Sequence, residues 1–563
     1  MNFKKIIVTF MVMVPYIMMA EDCCNTSSCD TSACNPISQN LWQPHAFSGY
    51  SSTNLIQMKD AYDKGVQAND SRERLFYISL AGQYMQSFGC NKLGSLPFWS
   101  GTSTMTIGTN DGKSDLDAYQ FGMGDVTTPG SITLKPKVQH FGVDAQWYYM
   151  QHATGRGVVA KIDAPIGAMK ITSKLCEKPA VLDNTADTVW TPPYPAVANR
   201  PQTLTAAFQG GALGDNSVQS QVLHPIALYK GRIGGCCPQT AIRLADLSFT
   251  LGYNCINDER GMFMLGFKVA CPTGNVPTGD YALEPIFGRA GHWGVGGEIS
   301  ASYRVWHDDT SQLRLWAQGE ALHLINGRSP SFRSFDLLSN GKGSKYLLLQ
   351  FYAAVNPDLT ATPANPTGRV ASFITQAVNV TTFPVISNIG VEGSFALMLD
   401  YQRKNWNVGL GGEVWGRSRE CLSIDFCNAL KYGMVNLNDY AVLGRQVSNN
   451  IDTDTTLTYC EPLAKINQSV TRQTTDVNAF PDQVKDARIA ANRISEDVTA
   501  ALDICGAQAP RAITGKVLGE AGHTWRDNCH TPNLSVFASA EFTDKKSAMI
   551  NLWSVGLKGS IIF

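Results

Sequence analysis

Segments of about ten residues in which every second side chain is apolar recur over most of this chain, and nothing else constrains its fold as tightly. Successive side chains of a strand point to opposite faces, so such a strand separates two environments. From Trp293 the odd positions Trp293, Val295, Ile299, Ala301, Tyr303 and Val305 are apolar, while Glu298, Ser300, Ser302 and Arg304 alternate with them. The pattern returns with Ile389, Val391, Phe395, Leu397, Leu399 and Tyr401 against Glu392, Ser394, Asp400 and Gln402. It continues with Trp406, Val408, Leu410 and Val414 against Asn407, Glu413 and Arg417. A secreted β-sandwich also alternates, but it does not need aromatic residues at both ends of its strands. A transmembrane barrel does, because its apolar face meets lipid between two interfaces and its polar face meets water.

The last strand sets Trp553, Val555, Leu557, Ile561 and Phe563 against Ser554, Lys558 and Ser560. This ending resembles the carboxy-terminal assembly signal of Gram-negative outer-membrane β-barrel proteins, with Lys558 where that signal often has Gly. The resemblance covers roughly residues 73–563. It implies an all-β fold, a single transmembrane antiparallel barrel, contact with outer-membrane lipid, and insertion by the barrel assembly machinery. Segments such as Ser334-Phe335-Asp336-Leu337 before Asn340-Gly341 are similar in tone to the uncharacterised Cys-rich barrels of intracellular bacteria. Porins of the class imply a homotrimer and a passive channel.

Single-chain bacterial barrels have an even strand number, short periplasmic turns and long outer loops. About fourteen strands are evident, and parity then puts the long segment 171–239 on the periplasmic side. Two further strands, near 97–107 and from Phe332 to Leu338, bring the expected count to about 16, within a range of 14–18. The turns 109–115, 151–157, 255–259, 307–311, 339–344, 403–404 and 527–531 then all face the periplasm. The outer side receives 171–239, 272–291, 356–386 and 418–511. Within the last of these, Val484, Ala487, Ala491, Ile494, Val498 and Ala501 predict a helix over Asp482–Cys505.

At the amino terminus Lys4 and Lys5 precede an apolar run from Ile6 to Met19 and a small residue, Ala20, which together predict a signal peptide over 1–20. No lipobox precedes Cys23. Residues 21–72 form a Cys-rich segment with a short helix expected over Leu55–Ala68, either lying in the periplasm or plugging the barrel. All 15 cysteines follow the leader, and in an oxidising compartment they read as disulfides. The candidates are Cys23, Cys24, Cys29 and Cys34 near the start, Cys176, Cys236 and Cys237 in one long loop, and Cys421, Cys427, Cys460 and Cys505 in the other. Adjacent and five-residue spacings without interleaved His do not match a zinc site. The odd count leaves a thiol free or bonded to another chain.

Taking the polar face as lumen, the wall collects Lys161, Asp163, Asp246, Lys268, Glu298, Arg304, Arg314, Glu320, Glu392, Asp400, Glu413, Arg417 and Lys558. Both signs together suit a water-filled bore that screens solutes by charge. Only 17% of residues are charged, below the roughly 25% of soluble domains. With the leader removed the balance is weakly acidic, which excludes nucleic acid as a partner. No Gly-x-Ser-x-Gly, His-Glu-x-x-His or phosphate-loop pattern occurs, so no enzyme, cofactor or metal is expected. The expected function is a porin-like channel for passive diffusion of small solutes. The alternative is a structural or adhesive barrel with a plugged lumen, whose disulfide-bonded loops bind an envelope or host surface protein.

Overall fold

The computed structural model describes residues 51–62, 74–89, 92–109, 112–183, 200–210, 227–234, 238–325, 330–352, 371–432, 437, 440–442, 465–467, 501–526, 531–543 and 549–563. The signal peptide, Cys23, Cys24, Cys29, Cys34, Cys236, Cys237 and Cys460, and most of the helix expected over Asp482–Cys505, lie outside the described residues.

Twelve strands close into one antiparallel barrel. In chain order they are β1 (Leu75–Ser87), β2 (Lys137–Met150), β3 (Gly157–Thr172), β4 (Leu247–Asn257), β5 (Gly261–Cys271) and β6 (Trp293–His307). They continue as β7 (Ser311–Ile325), β8 (Thr382–Arg403), β9 (Trp406–Arg417), β10 (Ala512–Thr524), β11 (Asn533–Thr543) and β12 (Leu552–Ile562). Each pairs with its neighbours in sequence, and β1 joins β12 in a register running from Tyr77 opposite Ile562 to Ser87 opposite Leu552. Closure removes the sheet edges that could not survive in lipid.

The alternation seen in the sequence separates lipid from lumen. Leu410 is 68% exposed, and Val408, Leu399, Leu557, Val536 and Leu251 share its outward belt. The inward positions between them are buried and polar: Glu298, Asp400 and Lys558 have no exposed surface. Aromatic side chains gather at both margins of the belt. Tyr303, Trp306, Tyr401 and Trp406 lie beside the short turns, and Trp293, Phe141 and Phe542 lie toward the opposite rim. Such amphipathic rings suit the two membrane interfaces.

Twelve strands replace the sixteen expected, and two of the four surplus strands belong outside the barrel wall. Thr104–Gly108 pairs with Gly130–Leu134 and then Leu175–Lys178, in a small sheet apart from the barrel. Ser331–Ser334 pairs only with Thr382–Val385, at the far end of β8, and 335–338 leave the strand. The turns 109–115 and 339–344 therefore fall on the side of the long loops, against expectation. The connections 151–156, 258–260, 308–310, 404–405 and 525–532 do share one rim with the start of β1 and the end of β12, and the long connections leave the strands at the other.

β8 has 22 residues, about twice the 9–11 needed to cross a bilayer. Its surplus carries Ser331–Ser334 on one side and Glu420–Ile424 on the other, so a three-stranded tongue rises above the loop-side rim. The described parts of the long loops fold onto it as a cap with a core of its own, which includes Phe98, Phe121, Phe208, Tyr346, Leu349, Phe383 and Leu422. At its base Glu420 receives Arg333 at 2.8 Å, the Ser387 hydroxyl at 2.5 Å and the Ala509 N–H at 3.0 Å. Burial alone would raise the Glu420 pKa, but Arg333 and these donors hold it below the usual carboxylate range.

Candidate functional site in the barrel lumen

Twelve strands at about 4.8 Å spacing and a tilt near 40° enclose a backbone cylinder about 24 Å across. Lining side chains reduce that to a bore that one helix, about 10–12 Å thick, can fill. One does. Helix α1 (Ser51–Ala61) lies inside the barrel against β1, β7, β8, β9 and β12.

Little in α1 signals burial. Its sequence, SSTNLIQMKDA, has no strong apolar stripe, yet every residue except Asp60 is buried. The polar residues are buried because the wall around them is polar. Lys59 reaches Glu520 at 2.6 Å and Asp400 at 3.0 Å. Asp60 receives Lys558 at 2.7 Å and the Ser560 hydroxyl at 2.8 Å. Ser52 donates to Glu413 at 2.6 Å, and Lys516 holds the same carboxylate at 2.9 Å. The Lys558 ammonium also donates to the Ile56 carbonyl at 2.9 Å, and the Tyr77 hydroxyl to that of Gln57. Between these anchors Leu55, Ile56, Met58 and Tyr62 pack on Tyr77, Tyr148, Met264, Trp316 and Met398.

A second charged network needs no help from α1. Glu298 and Glu320 stand opposite each other in the β6–β7 register, an unfavourable juxtaposition for like charges. Lys161 bonds Glu298, and Lys268 bridges the two, at 2.6 Å from Glu320 and 3.6 Å from Glu298. Asp163 joins through Lys161 at 3.5 Å and accepts from Gln146 at 2.6 Å. Arg289, from the β5–β6 connection, then reaches Glu392 at 2.9 Å, Asp246 at 3.3 Å and Glu320 at 3.8 Å.

The structure thus brings Lys161, Asp163, Asp246, Lys268, Glu298, Glu320 and Glu392 into one network, and Asp400, Glu413 and Lys558 into the α1 contacts. Arg417 faces Glu392 in the β8–β9 register. Arg304 and Arg314 are placed differently. Both reach the turn-side rim, Arg304 within 3.9 Å of the Glu259 carboxylate and Arg314 donating to the Glu259 carbonyl at 2.9 Å. The two pair with each other in the inward phase of β6 and β7, at the turn-side end and just before the β-bulge between Arg304 and Trp306.

Sequence reasoning missed Lys59, Asp60, Arg289, Lys516, Glu520 and Glu541. The last three sit at inward positions of β10 and β11, where the same period of two would have found them. Lys59, Asp60 and Arg289 lie outside strands, where no periodicity marks them. Among the candidate disulfides, Cys505 is bonded, whereas Cys176 and Cys427 carry exposed thiols, contrary to expectation. Cys176 is spent on a cap strand, Leu175–Lys178, and Cys427 on a short helix, Phe426–Lys431. Among the described residues no group of His, Cys, Asp and Glu is arranged to hold a metal ion.

No protein-family model matches the chain, and no curated protein matches it in sequence. Several solved outer-membrane channels are weakly similar to it in structure. An outer membrane channel from Pseudomonas putida F1 is 9% identical, with 88% of this chain and 97% of that one covered and a TM-score of 0.36. A mutant of the TodX monoaromatic hydrocarbon channel is 9% identical over 88% of this chain and 91% of that one, with a TM-score of 0.31. A Pseudomonas aeruginosa FadL homologue is 10% identical over 87% and 89%, with a TM-score of 0.22. The chain's own closed register and lipid-facing belt decide the class. This is an outer-membrane β-barrel protein.

Proposed function

We propose that the protein is a channel of the bacterial outer membrane that rests closed, with α1 as its plug and the charged wall as its conducting surface. The observation that carries this reading is the double ionic latch, Lys59 on Asp400 and Glu520 and Lys558 on Asp60. Buried ion pairs contribute little net stability to the elements they join. Ion pairs with a polar wall can instead be exchanged for water and solute ions when the helix withdraws. The expectation of a permanently open diffusion pore gives way to a gated one, because α1 fills the bore that such a pore would use. Short turns on one rim and long loops on the other support a periplasmic origin for α1 and an outward-facing cap.

The test is single-channel recording in planar bilayers of the full-length protein against Lys59→Met/Asp60→Asn, which removes both latches from the helix side. Wild type is expected to be silent and the variant to show stable openings. Silence in both, with the barrel verified as folded by heat-modifiable migration, would refute the channel. It would favour a surface-binding barrel, a reading to which the separately folded cap lends support.

A further inference from the structure

The connection 272–292 between β5 and β6 does not stay on the rim. From Ala282 to His292 every residue but Pro285 is buried, and the segment crosses the barrel mouth. Leu283 and Phe287 pack against Met85, Val138, Met169 and Leu552 of β1, β2, β3 and β12. On the opposite wall Arg289 holds Glu392 and Glu320, reaching Asp246 just before the start of β4 as well, and His292 bonds the Ser387 carbonyl at 3.0 Å.

The segment is also internally braced. The Glu284 carboxylate accepts from the Thr278 N–H at 2.8 Å and hydroxyl at 2.9 Å, and from the Asp280 N–H at 2.9 Å. Asn275 donates to the Pro285 carbonyl at 3.0 Å and accepts from the Phe287 N–H at 2.8 Å. Gly288, at φ +68°, passes so close to Asp246 that a Cβ would lie 2.2 Å from its carboxylate. The outer limb is tied to the cap: Arg232 donates to Asp280 at 3.1 Å, Ala282 to Arg232 at 2.9 Å and Phe332 to Pro277 at 3.0 Å, all through the backbone.

Resting on the gated-channel reading, we propose that residues 272–292 form a strap across the lumen, latched by Arg289, that sets the bore left once α1 withdraws and couples that bore to the cap. The strap is braced enough to move as a unit, and Arg289 is its ionic hold on the wall facing away from its apolar anchor. Neither closure shares a residue with the other, so the two act in series.

The test adds Arg289→Ala to the full-length Lys59→Met/Asp60→Asn protein and compares unit conductance. At least a threefold increase is expected, and an unchanged conductance would overturn the strap while leaving the channel intact. Because Arg289→Ala strands Glu392 and Asp246, Arg289→Gln/Glu392→Gln serves as the charge-preserving second variant and should enlarge the bore likewise. If no combination conducts, the channel reading falls, and hydrogen exchange over 282–292 decides the latch separately. Exchange at least tenfold faster in Arg289→Gln/Glu392→Gln upholds it, and unchanged exchange overturns it.

Discussion

Replacing Lys59 by Met removes the charge but keeps the length of the side chain, and so isolates the latch from the packing of α1. Lys59 and its partners are almost completely buried, with side-chain exposures of 1% for Lys59 and 0% for Asp400 and Glu520. Removing one member of such a group costs about 3–5 kcal/mol, because the remaining charges are left desolvated without a partner. Here the lower end applies. Asp400 keeps the Gln402 amide at 2.9 Å, and Glu520 keeps Lys558 at 3.2 Å. A loss of about 3 kcal/mol corresponds to about a hundredfold rise in the population with α1 released. Hydrogen exchange followed by mass spectrometry reads that population directly as the protection of the α1 amides, while the wall peptides serve as an internal reference. The expected result is about a hundredfold faster exchange over Ser51–Ala61 with β8 and β10 unchanged. Adding Asp400→Asn should recover part of the loss, since the cycle then removes one stranded charge. Exchange accelerated less than tenfold would refute the latch, and equal acceleration in α1 and wall would show that the helix and barrel open only together.

Three further outcomes test the fold around the lumen. Leu410→Arg puts a charge on the most exposed part of the belt and should destabilise the inserted barrel by about 2–4 kcal/mol, read as a lower urea midpoint in vesicles, whereas a soluble surface would tolerate it. Glu420→Ala removes the acceptor of Arg333, Ser387 and Ala509 and should cost about 3–5 kcal/mol, with faster exchange confined to Ser331–Ser334 and Glu420–Ile424. In the turn between β6 and β7, the N–H groups of Thr310 and Ser311, at 2.8 and 2.7 Å, hold the Asp308 pKa below its ordinary value. A carboxyl group with a depressed folded-state pKa adds stability above its unfolded value and loses it as pH falls through the folded one. Acidification should therefore fray this turn in wild type but leave the exchange of Asp308→Asn flat across the same range.

What could be read from the sequence follows from which constraint each element obeys. Strands between lipid and water must alternate, so β6, β8, β9 and β12 were legible, and so were the inward positions of Glu298, Glu392, Asp400, Glu413 and Lys558. The cap strands obey a weaker rule. Thr104–Gly108 and Ser331–Ser334 alternate because one face meets the cap core, and in a single sequence that face cannot be told from one meeting lipid. Counting them as barrel strands is what raised the expected count from fourteen to sixteen. Parity did not expose the error, because adding two strands to a barrel keeps its strand number even.

The helix expected over Leu55–Ala68 is present, over Ser51–Ala61, but its place, in the periplasm or in the lumen, could not be read from its residues. In a soluble domain a helix carrying Ser51, Ser52, Gln57, Lys59 and Asp60 would be assigned to the surface, because burying such groups without partners is costly. Inside a barrel whose apolar face points outward the rule inverts: the interior is lined with Glu413, Glu520, Asp400 and Lys558, and the helix that fits it must be polar as well. Arg289 follows the same logic from a loop, supplying a cation where Asp246, Glu320 and Glu392 meet. The useful signal was therefore a mismatch between two parts of the sequence. The strands β7 to β12 turn six carboxylates inward, Glu320, Glu392, Asp400, Glu413, Glu520 and Glu541, but only four cations, Arg314, Arg417, Lys516 and Lys558. Such a wall requires cations from elsewhere in the chain, and Lys59 and Arg289 are where the fold finds them.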